Sequence, residues 1–183
     1  MNLEFYNQIK NSTAHSKSRY DNANFVLQNL NLLPVLIAFS FDVNDKSHHR
    51  AAAILDIVFE LQFGLIYQFK DLILKDLHIL KNDSAIRSIS RFVMPLVQEN
   101  SKKIKTDSKF LSEIQLEKIT EVSFDWLISD YRVAVKQHAI YMLFEIGKTQ
   151  DWIYPELRVI LEKDVNGNSP AYKSIAKRIL KNI

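Results

Sequence analysis

The chain has no cysteine, and only 3 glycines and 4 prolines among 183 residues. Without cysteine there is no disulfide and no thiolate metal ligand, a usage that fits a reducing compartment and leads us to expect a cytoplasmic protein. So few glycines and prolines argue against sandwiches and barrels, which need turn residues at every strand connection. Long hydrophobic runs are missing too. The most apolar stretch, LLPVLIAFSF from Leu32, falls well short of the ~18 residues that span a bilayer, so no membrane association is expected. The first residues, MNLEFYNQIKNSTAHSKSRYDN, carry no apolar run of the signal-peptide kind. Nor is there a large excess of one charge: the net is +3, with a sequence pI of about 9.0. Basic residues are scattered, apart from Lys102, Lys103, Lys105 and Lys109 in SKKIKTDSKF. The serines, threonine and aspartate around them read as a solvated loop before a polyanion contact.

What is present is helical patterning. Hydrophobic residues make up 47% of the chain, enough for a core in a domain of this length. Ala51, Ile54, Leu55, Val58 and Leu61 recur at the spacing of one helical face, as do Ile86, Ile89, Val93 and Leu96 or Val97. QFGLIYQFKDLILKDLHIL, LSEIQLEKITEVSFDWLI, YPELRVILEK and YKSIAKRILKNI read as further helices. Between them lie DVNDKS, KNDS, the lysine-rich segment, ISDY, GKTQD and DVNGNSP. Their Asp, Asn and Ser side chains can accept from unpaired first-turn N–H groups.

Four stretches align without gaps: SHHRAAAILDI, SAIRSISRFVM, VAVKQHAIYML and PAYKSIAKRIL. Each carries a cation at its fourth position (Arg50, Arg87, Lys136, Lys173), then a small residue (Ala53, Ser90, Ala139, Ala176), then a larger apolar one (Ile57, Met94, Leu143, Leu180). The cations are 37, 49 and 37 residues apart, so two equal periods flank one lengthened by the lysine-rich segment near 100–111. A period of this size built from two helices is a solenoid signature. In a solenoid, small residues let neighbouring helices approach and successive pairs share a core.

These residues resemble the HEAT and armadillo class of helical repeats, with VKQHAIYMLFEIG, Val135 to Gly147, the best match to its pattern of valine-cation, small residue, large aliphatic and Ile-Gly. The resemblance implies an all-α fold, an α-α superhelix: a short right-handed HEAT-like solenoid of about four hairpins. It covers residues 30–183 of a single domain, 1–183, with 1–29 as capping helices. FDWLISDYRVAVK and DWIYPELRVILEKD also resemble a group of short bacterial HEAT-like proteins sometimes labelled adenylosuccinate lyase. That lyase has longer chains and a Ser-Ser-x-Met-Pro-x-Lys-x-Asn loop. Here Met94-Pro95 stands alone in RFVMPLVQEN, so the label is not carried over.

Catalytic constellations are sought and not found. Gly147-Lys148-Thr149 ends like a phosphate-binding loop, but Met142 stands where the first glycine must be, and the preceding run has helical spacing. Gly147 therefore reads as a helix-ending residue in the left-handed conformation, with Lys148 beside the negative helix end. Thr149 or Asp151 would cap the next helix, and Pro155 would lie in its first turn. The five histidines (His15, His48, His49, His78, His138) lack metal-ligand spacing. Asp125 and Asp130 read as caps or surface charges, and Trp126 and Trp152 as core or hairpin-joint residues, an exposed tryptophan being a binding anchor. No catalytic residue, cofactor or metal is expected. The reading is a non-catalytic scaffold that binds a protein through a concave face formed by the second helices. The alternative is a nucleic-acid-binding protein related to HEAT-like alkylation-repair glycosylases. Arg50, Arg87, Arg91, Lys136, Lys173 and Lys177 are the candidate residues of that face.

Overall fold

A computed structural model describes residues 3–103, 110–164 and 169–183. Among the described residues ten α-helices follow in order: α1 (Leu3–Lys10), α2 (Ser16–Gln28), α3 (Leu33–Ser40), α4 (His48–Leu61), α5 (Ile66–Leu74), α6 (Asp83–Lys103), α7 (Glu113–Ile128), α8 (Val133–Gly147), α9 (Ile153–Asp164) and α10 (Pro170–Leu180). There is no strand among the described residues, so the fold is all-α. The four aligned stretches fall on α4, α6, α8 and α10, every second helix of the chain.

The chain divides into two compact units, Met1–Phe92 and Val93–Ile183. In the first, α1, α2 and α3 all pack on α4. That helix is buried almost all round, through Ala51, Ala52 and every residue from Ile54 to Phe59. In the second, α8 packs against α7, α9 and α10. Its core includes Trp126, Leu143, Leu157 and Tyr172.

Side-chain caps appear at some helix starts and not at others: Ser47 and Arg132, before α4 and α8, make no side-chain cap hydrogen bond. Ser112 and Gln115 form a capping box on α7, with Ser112 Oγ accepting from the Gln115 N–H at 3.2 Å and Gln115 Oε1 accepting from the Ser112 N–H at 2.9 Å. Asn82 Oδ1 accepts from the first N–H groups of α6, and Ser169 Oγ from the N–H of Tyr172.

Four local expectations are corrected. Lys102 and Lys103 are not loop residues but the last turn of α6, with Lys103 paired to Glu99 at 2.9 Å; Lys105 and Lys109 lie outside the described residues. QFGLIYQFKDLILKDLHIL is not one helix: α5 lies between 3-10 turns at Phe63–Leu65 and Leu77–Ile79. Gln62, at φ −138° and ψ 71°, ends α4, and Phe63 and Tyr67 are half-buried.

The third correction concerns Gly147. It is the last residue of α8, followed by Lys148 in right-handed helical geometry, and its own φ is not in the left-handed region. A glycine is needed because the Tyr154 ring lies directly where a Cβ would project. That ring stacks on Phe144, and its hydroxyl donates to the Phe144 carbonyl at 3.1 Å. The glycine serves a close approach, not a turn. Thr149 does not cap α9; its hydroxyl donates back to the Ile146 carbonyl at 3.1 Å and closes α8.

Candidate functional site

The six candidate cations occupy different environments. In the first unit, Arg50 is exposed and donates to the Lys10 carbonyl. Arg87 is exposed, and Arg91 bridges Asp56 at 3.2 Å and Glu60 at 2.6 Å. In the second unit, Lys136 is 9% exposed, with its ammonium 6.0 Å from the centre of the Tyr172 ring. The contact the structure gives this ammonium is that aromatic face. Lys173 is half-buried and Lys177 exposed on α10. Lys148 of the Gly-Lys-Thr segment pairs with Glu145 at 2.6 Å and lies over Phe144.

Two polar clusters in the first unit escaped sequence reasoning. Asp56 is 7% exposed inside α4, and burial pushes its carboxyl up to about 7 against the pull of Arg91 and Arg87, with Glu60 raising it further. Tyr20 donates to the other side of this group, onto Glu60 at 3.2 Å. One signal was available: Asp56 is the lone polar residue in AAAILDIVF. Its partner Arg91, 35 residues away, gave none.

The second cluster surrounds Asp45. Lys10 pairs with it at 2.8 Å, the Tyr6 hydroxyl donates to it, and the Ser47 N–H donates at 2.7 Å. Burial alone would raise this carboxyl, but the donors outweigh it and hold it below the usual carboxylate range. Asp45 also borders an open cleft of about 380 Å³ lined by Val43, Lys46, His48, Lys81 and Asn82. His48 faces the Ser40 carbonyl through Nδ1 at 3.1 Å, which fixes that nitrogen as the donor when the ring is neutral. Among the described residues, no three His, Asp or Glu side chains gather as a metal site.

The two tryptophans separate sharply. Trp126 is 3% exposed in the core, whereas Trp152 is 55% exposed and stacks on Phe124 of α7 at 5.9 Å between ring centres. Ile128, 63% exposed, follows Phe124 by one helical turn, and Ile114, 66% exposed, occupies the first turn of the same helix. Ile114, Glu117, Glu121, Phe124 and Ile128 are spaced as one stripe, while Leu116, Ile119, Ser123, Trp126 and Leu127 form the buried side. Burying several such apolar groups contributes about 1.5–3 kcal/mol each, so this stripe has energy available to a partner.

Among the described residues, no single helix is long and apolar enough to cross a membrane. No family model, curated protein or solved structure matches the chain.

Proposed function

We propose that the chain is a non-catalytic helical binding domain whose partner is another protein, built as a short HEAT-like stack of helix pairs. The repeat reading rests on the four aligned stretches, which fall on alternate helices. The observation that carries the function is the Trp152–Phe124 stack with Ile128 beside it: a rigid aromatic anchor held outward by its own packing. Tryptophan is the residue most often responsible for binding energy at protein interfaces, because it covers much area at little entropic cost. This moves the expected surface from the cations of the second helices to α7, the first helix of its pair. The nucleic-acid alternative has less support, since Arg50, Arg91 and Lys136 already engage a carbonyl, two acids and an aromatic ring.

A photo-crosslinking phenylalanine analogue placed at position 152 tests the reading in cells that make the protein, with the same analogue at the exposed Lys163 as control. One major protein crosslinked from 152 and not from 163 is expected, and its binding, once purified, should weaken in Ile128→Ser. Equal crosslinking from both positions, or indifference to Ile128→Ser, overturns it.

A further inference from the structure

We infer that the exposed face of α7, with Trp152, docks a basic amphipathic helix of a protein partner. The inference rests on the protein-binding reading and adds the chemistry of the partner. On α7, Glu113, Glu117, Glu121 and Asp125 are all exposed and only Lys118 opposes them, although the chain as a whole is net positive. None of these four acids makes an ion pair among the described residues. Asp151, beside Trp152, adds a further exposed acid.

The apolar and acidic groups interleave. Along the axis the stripe reads Ile114, Glu117, Glu121, Phe124, Ile128, spaced three, four, three and four residues apart. That is the spacing at which one helix meets another, with apolar side chains seated between those of the facing element. An occupant that fits presents apolar residues at the same spacing with Lys or Arg between and beside them. Nucleic acid and anionic lipid bring phosphates, which the acids repel.

A second copy of this chain fits poorly. Its most basic helix, α10, has Lys173, Lys177 and Arg178 with no acid, but Tyr172, Ile175, Ala176 and Ile179 on that helix are already buried in its own fold. It can offer cations without the apolar row that Phe124 and Ile128 require.

The test titrates the full chain into a fluorescein-labelled helical peptide of about 18 residues, leucine at alternating third and fourth positions and lysine elsewhere. Anisotropy reports binding. Tryptophan emission reports the site, because Trp126 is already buried and a blue shift must come from Trp152. Binding that weakens with salt is expected, reduced about tenfold or more by Trp152→Ala and by the double change Glu117→Lys, Glu121→Lys. Circular dichroism melts confirm that these exposed substitutions leave the fold intact.

A glutamate version of the peptide should not bind. If a glutamine version shifts Trp152 emission as strongly as the lysine one, the basic partner is wrong while the protein-binding surface stands. Light scattering that shows a dimer broken by Ile128→Ser replaces the proposal with self-association. Duplex DNA or anionic vesicles competing for Trp152 overturn it as well. No shift with any peptide, together with no specific crosslink from position 152, overturns both readings.

Discussion

The two units differ in the ion pairs that join helices, although the first also has local ones such as Lys17–Asp21. In Met1–Phe92, ion pairs and charged hydrogen bonds join different helices: Arg91 of α6 reaches Asp56 and Glu60 of α4, and Tyr20 of α2 meets Glu60. Lys10 and Tyr6 of α1 converge on Asp45 in the same unit. In Val93–Ile183, pairs such as Lys103–Glu99, Lys148–Glu145 and Arg158–Glu162 stay within one helix or its end. The buried polar groups of α7 there are neutral: Thr120 and Ser123 donate to the carbonyls of Leu116 and Ile119 at 2.8 and 2.6 Å. Charge enters the interior of the second unit at Lys136, over the Tyr172 ring, while the acids of α7 face water. Charge that is used to join helices is unavailable to a partner; charge left outward is available.

The largest expected effect lies in the first unit and depends on pH. Asp56 has its carboxyl raised from 3.8 to about 7 by burial, so between those values the folded state holds a proton that the unfolded state has lost. Stability from this group is therefore full below about pH 4 and declines as pH rises through about 7. The difference corresponds to at most about 4 kcal/mol, with the opposing pull of Arg91 already included. Asp56→Asn should flatten the decline and be the more stable form at pH 8, as urea melts across pH 4–8 would show. Asp45 has the opposite sign. Its carboxyl is held low, so its contribution is present above the usual carboxylate range and is lost as pH falls below it. Asp45→Asn should weaken the protein at neutral pH and matter progressively less in acid. If both variants shifted stability equally at all pH values, the first unit would not be held by charge as described.

In the second unit the corresponding test is steric. Helix propensity alone makes Gly147→Ala stabilising by up to about 1 kcal/mol. The Tyr154 ring occupies the place of the new methyl group, so a net loss of about 1–3 kcal/mol is expected instead. Combining it with Tyr154→Ala should be less damaging than the sum of the two changes. A stabilised Gly147→Ala on thermal melting would show that the ring yields without cost.

This position also shows where sequence legibility ends. The helices were readable because Ile54, Leu55 and Val58, or Ile86, Ile89 and Val93, repeat at a local period. The caps of α6 and α10 were readable for the same reason, since Asn82 and Ser169 act within three residues of themselves. Gly147 was correctly placed at a helix end but given the wrong physical cause, because its constraint comes from a ring seven residues later, across a turn. The partners of Arg91 and Lys136 come from other helices, and no local pattern encodes them. Of the proposed surface, the sequence supplied the idea that an exposed tryptophan would be an anchor. Composition could not reveal that Trp152 rather than Trp126 is the exposed one, since tryptophan is usually well buried.

A smaller effect is expected at Asn100, 1% exposed, whose Oδ1 accepts from the N–H groups of Phe110 and Leu111 at 3.1 and 3.0 Å. The side chain ties the end of α6 to the residues that lead into α7. Asn100→Ala leaves two N–H groups without their acceptor and should cost about 1–3 kcal/mol. Asn100→Asp restores an acceptor and should recover part of this at neutral pH, which chemical denaturation can measure. A neutral alanine variant would mean that the second unit does not depend on this bond.

The smallest effect on stability, and the sharpest division between the units, is expected on α7 itself. Glu117, Glu121 and Ile128 face solvent, and neither acid makes an ion pair among the described residues. Replacing any of them removes no packed neighbour and leaves no buried group unsatisfied, so Glu117→Gln, Glu121→Gln and Ile128→Ser should each stay within about 0.5 kcal/mol of the parent. Removing two acids from one face also relieves mutual repulsion, which gives the double Gln variant a slight gain that shrinks as salt screens it. The same substitutions made at the bridging acids of the first unit would not behave this way: Glu60→Gln weakens the contacts with Arg91 and Tyr20 that join three helices. Parallel melts of Glu60→Gln and Glu121→Gln at low and high salt make the contrast direct. A destabilisation at Glu121 equal to that at Glu60 would mean that the acids of α7 serve the fold, and the surface would lose its charge argument.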